Sequence, residues 1–316
     1  MLRYILYRIF MIIPILFFAS FIIFYLLRLN STDPVAQYLI NSNLPSTPEV
    51  IAEIRHEFGL DKPILEQYLL WLQKAVSLDF GKSYMSDRDV WSDFLYYLPN
   101  TLLLALFAFL LTILVSVPFG IIAAYYRDKI PDFLIRFICF IGVCMPNFWF
   151  AFLLIMLFSL TLGWLPALGV DGLHSFILPA ISIAFMSICV NIRLIRANML
   201  EVSKERHILY AYLRGLKKGH VTIKHVFYNA TLPIITALGM HFGELIGGAL
   251  IIESIFAIPG IGYYSLQGIA NHDYPIIQCF VLIMCLVFSL CNLIIDICYA
   301  ALDPRIRKNM EGSHVL

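Results

Sequence analysis

Charged residues are scarce in this sequence. Only 14% of its 316 residues are Asp, Glu, Lys or Arg, whereas 60% are apolar, and the formal net charge is +1. Because about 25% of the residues in an average soluble protein are charged, this composition excludes an ordinary globular domain. A net charge near zero also gives no reason to expect a nucleic-acid partner.

The sequence also lacks the usual motifs of nucleotide binding and hydrolysis. It contains neither Gly-x-x-x-x-Gly-Lys-Ser/Thr nor His-Glu-x-x-His, so it has no P-loop for ATP and no zinc-protease site. All seven cysteines fall in apolar runs, which indicates packing residues rather than a disulfide framework. We therefore expect a non-catalytic chain that binds no cofactor.

Long apolar runs are what the sequence has instead, and a membrane-spanning helix needs about 20 such residues. The first run, 19 uncharged residues between Arg8 and Arg28, is interpreted as a retained anchor because no cleavage site follows it. Five more crossings are predicted, at about 98–125, within 137–170, 175–192, 232–256 and 274–295. The run at 137–170 is either one helix followed by a loop at about 163–174 or two short helices broken at Pro146.

The distribution of positive charge predicts the orientation, because Lys and Arg favour the cytoplasmic side. Six crossings place 16 Lys or Arg inside and 6 outside, with both termini cytoplasmic. The predicted organisation is an anchor helix (1–28), an acidic extracytoplasmic segment (29–98), a core membrane domain (99–302) and a cytoplasmic tail (303–316). The positively charged segments on both sides of 137–192 should be cytoplasmic, so an even number of crossings lies between them. Because 175–192 is one crossing, 137–170 should supply one more.

A basic cytoplasmic loop at 193–232 stands out between two of these crossings. It carries eight Lys or Arg against Glu201 and Glu205. Within it, 209–216 is predicted to form a short helix that ends at Gly215, and Pro233 opens the next crossing. A short helix ended by glycine on a cytoplasmic face is typical of a docking element.

The loop resembles the coupling loop of ABC-importer permeases of the peptide/nickel family. The resemblance lies in Ala211-x-x-x-Gly215 and in Asn229-Ala230-x-Leu232-Pro233, with Leu209-Tyr210 in place of the general Glu-Ala. Further matching segments occur along most of the chain, at 3–8, 79–83, 145–149, 253–260, 273–275 and 303–305. Two segments, 42–49 and 239–248, resemble the nickel-importer B subunit more than peptide permeases.

This resemblance implies an all-α integral membrane protein with six transmembrane helices, the type I ABC-importer permease fold and a bacterial inner-membrane location. It implies a homologous second permease in a heterodimer, two cytoplasmic ATPase subunits that use ATP, and an extracytoplasmic substrate-binding protein. Ala211, Arg214, Gly215 and Leu216 would couple the chain to the ATPases. The expected substrate is nickel, as a chelate, with di- or oligopeptides as the alternative.

Polar residues inside the fifth crossing are candidates for the translocation pathway. His241 and Glu244 share one helix face, Met240 is adjacent, and Glu253 lies half a turn out of phase with Glu244. A charge at bilayer depth costs about 2.5–3.5 kcal/mol on insertion scales, so it should face protein or water. His241 and Glu244 either contact a metal in the pathway or hydrogen-bond helices together within the permease dimer.

Small residues of the same crossing, Gly243, Gly247 and Gly248, are of the kind that lets helices approach closely. Two other classes of protein have similar hydropathy. A stand-alone secondary transporter usually shows an internal repeat, which is not evident here. A membrane-embedded enzyme needs a convergent catalytic set, and the sequence offers none.

Overall fold

A computed structural model describes residues 2–29, 35, 38–39, 45–57 and 59–302. The segment 42–44, the tail 303–316 and the side chain of Met240 lie outside the described residues. The helices are α1 (Leu2–Leu29), α2 (Pro48–Glu57), α3 (Ile64–Val76), α4 (Val90–Tyr125), α5 (Ile130–Cys144), α6 (Asn147–Leu154), α7 (Ile177–Val202), α8 (Arg206–Leu213), α9 (Tyr228–Ile255), α10 (Ile261–Ala270) and α11 (Tyr274–Leu302). Ile155–Thr161 and Val221–Phe227 are π-helical, and Leu173–Phe176 is a 3₁₀ turn.

Five helical segments are long and apolar enough to cross a membrane: Ile5–Leu29, Val90–Tyr125, Leu173–Val202, Pro233–Ile255 and Tyr274–Ile297. A sixth span exists if α5 and the helix that begins at Asn147 count as one, and these two are bent by 106°. Of the two alternatives for 137–170, the structure shows helices broken at Pro146. Proline disfavours a helical conformation in the residue before it, and Met145 is extended, with φ −91° and ψ 122°.

One compact unit contains Leu102–Ile258 and short parts from both ends of the chain. Its central helix is α7, which packs against α5, α6 and α9 and has twelve buried residues. Glycine permits two close approaches along it. A Cβ on Gly120 would lie 2.6 Å from Cγ2 of Ile195, and a Cβ on Gly142 would overlap Sγ of Cys189.

Two glycines of α9 differ from Gly120 of α4 and Gly142 of α5 in their surroundings. A Cβ on Gly247 or Gly248 would meet no atom within 4 Å in the described part of the chain. A Cβ on Gly239 would instead lie 2.5 Å from Cγ1 of Ile295. Close helix contact within this chain is therefore made at Gly239, whereas the surface at Gly247 and Gly248 is open.

The other compact unit contains Leu6–Thr101 and Pro259–Ser289. Tyr68 of α3 is buried against α1, with its ring edge-on to Phe17, Phe21 and Phe24 at centroid distances of 5.2–6.0 Å. Its Oη lies 2.9 Å from Oγ of Ser20. Aromatic packing and one buried hydrogen bond thus fix α3 along the first membrane helix.

Two sequence segments singled out above, 79–83 and 273–275, meet in this second unit. Ser83 Oγ donates a hydrogen bond to Oδ2 of Asp273 at 2.7 Å, and the backbone N–H of Met85 donates to the same oxygen at 3.2 Å. Asp273 has no exposed surface. Its burial raises the pKa of the carboxyl group above the ordinary value, because removal from water disfavours the charged form.

Candidate coupling loop and translocation-pathway residues

Helix α8 has two different sides. Ile208 and Ala211 are buried against the chain's own core, in a cluster with Ile195, Met199, Val221, Val226, Ala230, Ile234 and Leu238. Leu209, Tyr210 and Leu213 are exposed by 58–73%. A contiguous apolar surface on so short a helix is typical of a protein-interaction site.

The end of α8 agrees closely with the sequence prediction. The helix stops at Leu213, and Gly215 has a φ of +80°, which a residue with a Cβ rarely adopts. The N–H of Gly215 donates to the carbonyl of Tyr212 at 2.9 Å, and the N–H of Leu216 donates to that of Ala211 at 3.4 Å. This pair of bonds is the Schellman motif, which terminates a helix at a left-handed glycine.

The four residues predicted to couple to the ATPases divide between the two sides of this element. Arg214, Gly215 and Leu216 are exposed, whereas Ala211 is only 7% exposed and faces the core. A small side chain at 211 therefore lets α8 lie close to its own chain. The sequence argument overlooked the exposed side chains of Leu209 and Leu213.

Polar contacts of Lys218 and Asn229 hold the loop in place. Lys218 Nζ donates to the carbonyl oxygen of Tyr125 at 3.0 Å and lies 4.6 Å from the centroid of its ring. A cation at this position is favourable because α4 ends at Tyr125 and leaves carbonyl groups unpaired. Asn229 Nδ2 donates to the carbonyl of His225 at 2.6 Å and lies 3.4 Å from Nε2 of His207. The Asn of the Asn-Ala motif thus connects the start of α9 to the start of α8.

A buried ion pair anchors the helix that leads into the loop. Arg196 of α7 donates from Nε and Nη2 to the two carboxylate oxygens of Asp132 in α5, each at 2.7 Å. The backbone N–H of Asp128 adds a bond to Oδ2 at 2.9 Å, and Arg136 Nε lies 3.3 Å from Oδ1. Sequence reasoning missed Asp132, because charged residues in this part of the chain were used only to predict the orientation in the membrane.

The predicted pathway residues lie on α9. His241 Nδ1 is 2.7 Å from Oε2 of Glu244, so these two side chains do share a helix face. The side chain of Glu244 is 59% exposed, whereas Glu253 has no exposed surface. The half-turn offset between the two glutamates therefore separates an exposed face of α9 from a buried one.

The exposed face continues from Glu244 as a narrow stripe. Its members recur at helical spacing and are Glu244, Gly247, Gly248 and Ile251. His241, half-buried, lies at the start of this stripe, which we call the α9 stripe. Among the described residues, no group of three or more His, Cys, Asp or Glu could hold a metal ion, so the proposed metal contact rests on His241 and Glu244 alone.

Comparison with known proteins defines the family. The family described as "Binding-protein-dependent transport system inner membrane component" matches residues 116–308, which is more than half of the chain. A second family, which describes the N-terminal part of such membrane components, matches residues 1–105. The chain belongs to the binding-protein-dependent transport permeases.

Similar proteins cover almost the whole chain. The "Glutathione transport system permease protein GsiC" of Escherichia coli (strain K12) is 34% identical over 307 residues, which are 97% of this chain and 99% of the relative. Proteins assigned to peptide transport systems as permeases, in Brucella abortus (strain 2308) and Brucella melitensis biotype 1, are each 36% identical over 311 residues, 96% of this chain and 98% of the relative.

Membership confirms several sequence predictions. The chain is a permease subunit of an ABC importer, has the all-α type I permease fold, and is a multi-pass protein of the bacterial inner membrane. It is non-catalytic, since ATP hydrolysis belongs to separate ATPase subunits. Binding-protein-dependent import also implies a partner permease and a substrate-binding protein. The orientation of the termini, the domain limits and the roles of individual site residues stay predictions.

Proposed function

We propose that this chain forms half of the translocation pathway of an ATP-driven importer for short peptides. The partner is a homologous permease, two ATPases dock on the cytoplasmic side, and a binding protein delivers the substrate from outside. The α9 stripe is the single observation that carries the proposal. It combines a polar pair, His241 and Glu244, with two glycines that leave open space beside the helix.

The composition of the α9 stripe suits a peptide. Glu244 can accept hydrogen bonds from an amino terminus or from peptide N–H groups, and His241 can donate to a carboxylate. Gly247 and Gly248 present no side chain, so a bulky zwitterionic substrate can pass close to the backbone. A pathway also requires weak contacts, since a substrate that is held tightly is not released.

The names of the relatives support peptides over nickel. The relatives are named for glutathione, itself a tripeptide, and for peptide transport. None of these names mentions nickel, so we replace the nickel expectation by its peptide alternative. His241 and Glu244 supply two possible metal donors, which is fewer than a square-planar or tetragonal nickel site with oxygen and nitrogen ligands requires.

The docking site proposed for an ATPase is the exposed side of α8. Leu209, Tyr210 and Leu213 provide apolar and aromatic contact area, and Arg214 provides a charge at its edge. Movement of α8 would be transmitted to α7 and α9, because Ile208 and Ala211 are packed among residues of both helices. This orientation makes the loop at 193–232 and both termini cytoplasmic.

Uptake measurements test the proposal. In cells that lack this chain, we would measure the uptake of radiolabelled glutathione, a labelled dipeptide and labelled nickel, before and after restoring the wild-type gene. We expect restored uptake of a peptide substrate and no change in nickel. Chain-dependent nickel uptake with unchanged peptide uptake would contradict the proposal.

Two glycine variants then test the α9 stripe itself. Gly247→Leu would fill the open space beside Glu244 and should remove most of the uptake at normal expression. Gly247→Ala is the matched control, because its Cβ meets no atom within 4 Å in the described part of the chain and leaves most of the open space unfilled, so it should keep its uptake. Equal uptake in the two variants would show that the stripe does not line the pathway.

A further inference from the structure

A cavity of about 650 Å³ lies beside α5 and α7 and has no part in the proposed transport steps. Three arginines line it, Arg136 from α5 and Arg193 and Arg196 from α7. Between them lie the apolar side chains of Phe140, Val190, Leu194 and Ala197. Its volume falls within the range of about 300–1,000 Å³ that is typical of sites for small ligands.

The cavity carries an excess of positive charge. Asp132 accepts from Arg196 at 2.7 Å and lies 3.3 Å from Arg136. Within the described part of the chain, no carboxylate lies within 4 Å of the guanidinium group of Arg193. Three guanidinium groups are thus balanced by one buried carboxylate, which leaves hydrogen-bond donors and net positive charge for an anion.

The geometry of the arginines favours phosphate among the possible anions. Guanidinium groups bind phosphate oxygens with two parallel N–H donors, a geometry that an ammonium group cannot reproduce. Arg193 and Arg196 are three residues apart on α7, so they emerge from one face of the helix. Asp132 fixes the position of Arg196 through both carboxylate oxygens, which prepares part of the wall before any ligand binds.

The apolar part of the cavity lining favours a phospholipid over inorganic phosphate as the ligand. Phe140 is one helical turn beyond Arg136, and it is 64% exposed. Neighbouring positions of α5 continue this apolar surface, among them Phe133, Phe137 and Ile141. A ligand with both a phosphate group and hydrocarbon chains would contact both kinds of surface, whereas inorganic phosphate would contact only the arginines.

We propose that this cavity binds an anionic phospholipid. Its phosphate group would be held by Arg136 and Arg193, and its acyl chains would lie along Phe140 and the exposed apolar side of α5. Basic pockets between membrane helices are suited to such headgroups. The lipid would join α5 to α7 at the helix that leads into the coupling loop.

The test uses the assembled importer, purified in a detergent that removes loosely bound lipid. Thermal stability is measured with added phosphatidylglycerol, phosphatidylcholine or inorganic phosphate, and retained lipid is identified by native mass spectrometry. We expect phosphatidylglycerol to raise the Tm and to be retained, with no such effect from phosphatidylcholine. Stabilisation by inorganic phosphate to the same extent would overturn the assignment to a lipid.

Charge-matched variants locate the site. Arg193→Gln should weaken the apparent affinity for phosphatidylglycerol by about fivefold, as expected for one cation near a membrane surface. Lys129→Gln removes the same charge just before α5 but lies outside the cavity, and it should leave the affinity unchanged. Arg136→Gln provides a second cavity variant if Arg193→Gln does not fold. An equal response of the cavity and control variants would overturn the proposal.

Discussion

Two short helices of this permease have similar lengths and opposite surroundings. Helix α8 has eight residues, of which two are buried, and helix α10 has ten residues, of which five are buried. Both begin after an extended residue, Glu205 in one case and Gly260 in the other. Length and entry conformation therefore do not distinguish them, and the difference lies in what covers each helix.

Helix α10 is packed against other parts of its own chain. Ile261 and Tyr264 pack in a cluster with Val90, Phe94 and Ile276, and the N–H of Ile261 donates to Oγ1 of Thr101 at 2.9 Å. Helix α8 leaves Leu209, Tyr210 and Leu213 exposed. A helix that buries half of its residues in its own chain stabilises the fold, whereas a helix with a largely uncovered apolar side is available to another subunit.

The compact unit that contains α8 has a buried aspartate, Asp132, and the unit that contains α10 has another, Asp273. The two carboxylates have different hydrogen-bond partners. Asp132 is paired with the cation of Arg196, whereas Asp273 accepts bonds from the hydroxyl of Ser83 and from backbone N–H groups. Neither carboxylate has exposed surface. Asp132 should therefore stabilise the fold through its ion pair. The contribution of Asp273 to stability should instead depend on whether its own carboxyl group is ionised.

The largest effect on stability is expected at the ion pair. Arg196→Met leaves Asp132 as a buried charge without its bidentate partner, which costs about 3–5 kcal/mol when one member of a buried pair is removed. The matched control is Arg127→Met, because Arg127 and Asp128 form an exposed pair worth less than about 1 kcal/mol. Thermal unfolding of the purified protein measures both variants. Similar Tm values for the two would show that burial of the pair is unimportant.

Next in size is the effect on docking. Replacing both Tyr210 and Leu213 by Ser removes apolar contact area, and central interface residues typically contribute about 2 kcal/mol or more. We expect the ATPase to bind about thirtyfold more weakly, with an unchanged Tm for the permease. Co-purification of the ATPase at graded concentrations measures this.

The matched control comes from α10. Ile269→Ser changes an apolar side chain that is also exposed, but this residue lies on α10, which packs against its own chain. It should leave ATPase binding unchanged. Loss of binding in this variant as well would mean that exposure of apolar side chains does not identify the docking helix.

A smaller effect is expected from close packing of α10. A Cβ on Gly268 would lie 2.6 Å from Cγ2 of Ile276, so Gly268→Ala should destabilise the fold by about 1–3 kcal/mol through overpacking. Among the described residues, a Cβ on Gly219, close to α8, meets no atom within 4 Å, so Gly219→Ala should not destabilise the fold. Chemical or thermal unfolding compares the two variants. An unchanged Tm for Gly268→Ala would show that α10 is not tightly packed.

The smallest effect is the pH dependence from Asp273. An ordinary aspartate carboxyl group has a pKa of 3.8, and burial in the fold raises the pKa of Asp273 above this value. Its contribution to stability is thus fully present below 3.8 and is lost as the pH rises through the higher folded-state pKa. Asp273→Asn should remove this loss, so that its Tm relative to wild type increases with pH.

A second, exposed aspartate should give a pH dependence of stability with the opposite sign. A hydrogen bond with His56, 2.9 Å away, lowers the pKa of Asp61 below its ordinary value. The contribution of Asp61 is therefore present above that ordinary value and is lost as the pH falls through the lower folded-state pKa. Tm measurements on Asp61→Asn across the same pH series check this. The same direction of change in both variants would contradict the assignment.

Local sequence features predicted the helix ends better than the helix surroundings. Gly215 predicted the end of α8 because a left-handed residue favours glycine, and Pro146 marked a possible break because of its effect on Met145. These effects act over a few residues. The start of α4 at Val90 was missed, since Ser92 and Asp93 made its first turns resemble a polar loop.

Site residues were predicted only where the partners are neighbours on one helix. His241 and Glu244 are three residues apart, so helical spacing alone brought them together. Asp132 and Arg196 are separated by 64 residues, and Ser83 and Asp273 by 190. No local pattern connects such pairs, because the contact depends on how distant helices pack.

The sequence by itself determined the membrane location, the approximate positions of the crossings and the family, because hydropathy, charge bias and short motifs are properties of neighbouring residues. Only the tertiary structure decided which side of α8 is covered, which glutamate of α9 is exposed and where three arginines share one cavity. Those features depend on contacts between helices that are distant in the chain. Burial is a property of the packed molecule, and it is burial that separates Ala211 from Leu213 and Glu253 from Glu244.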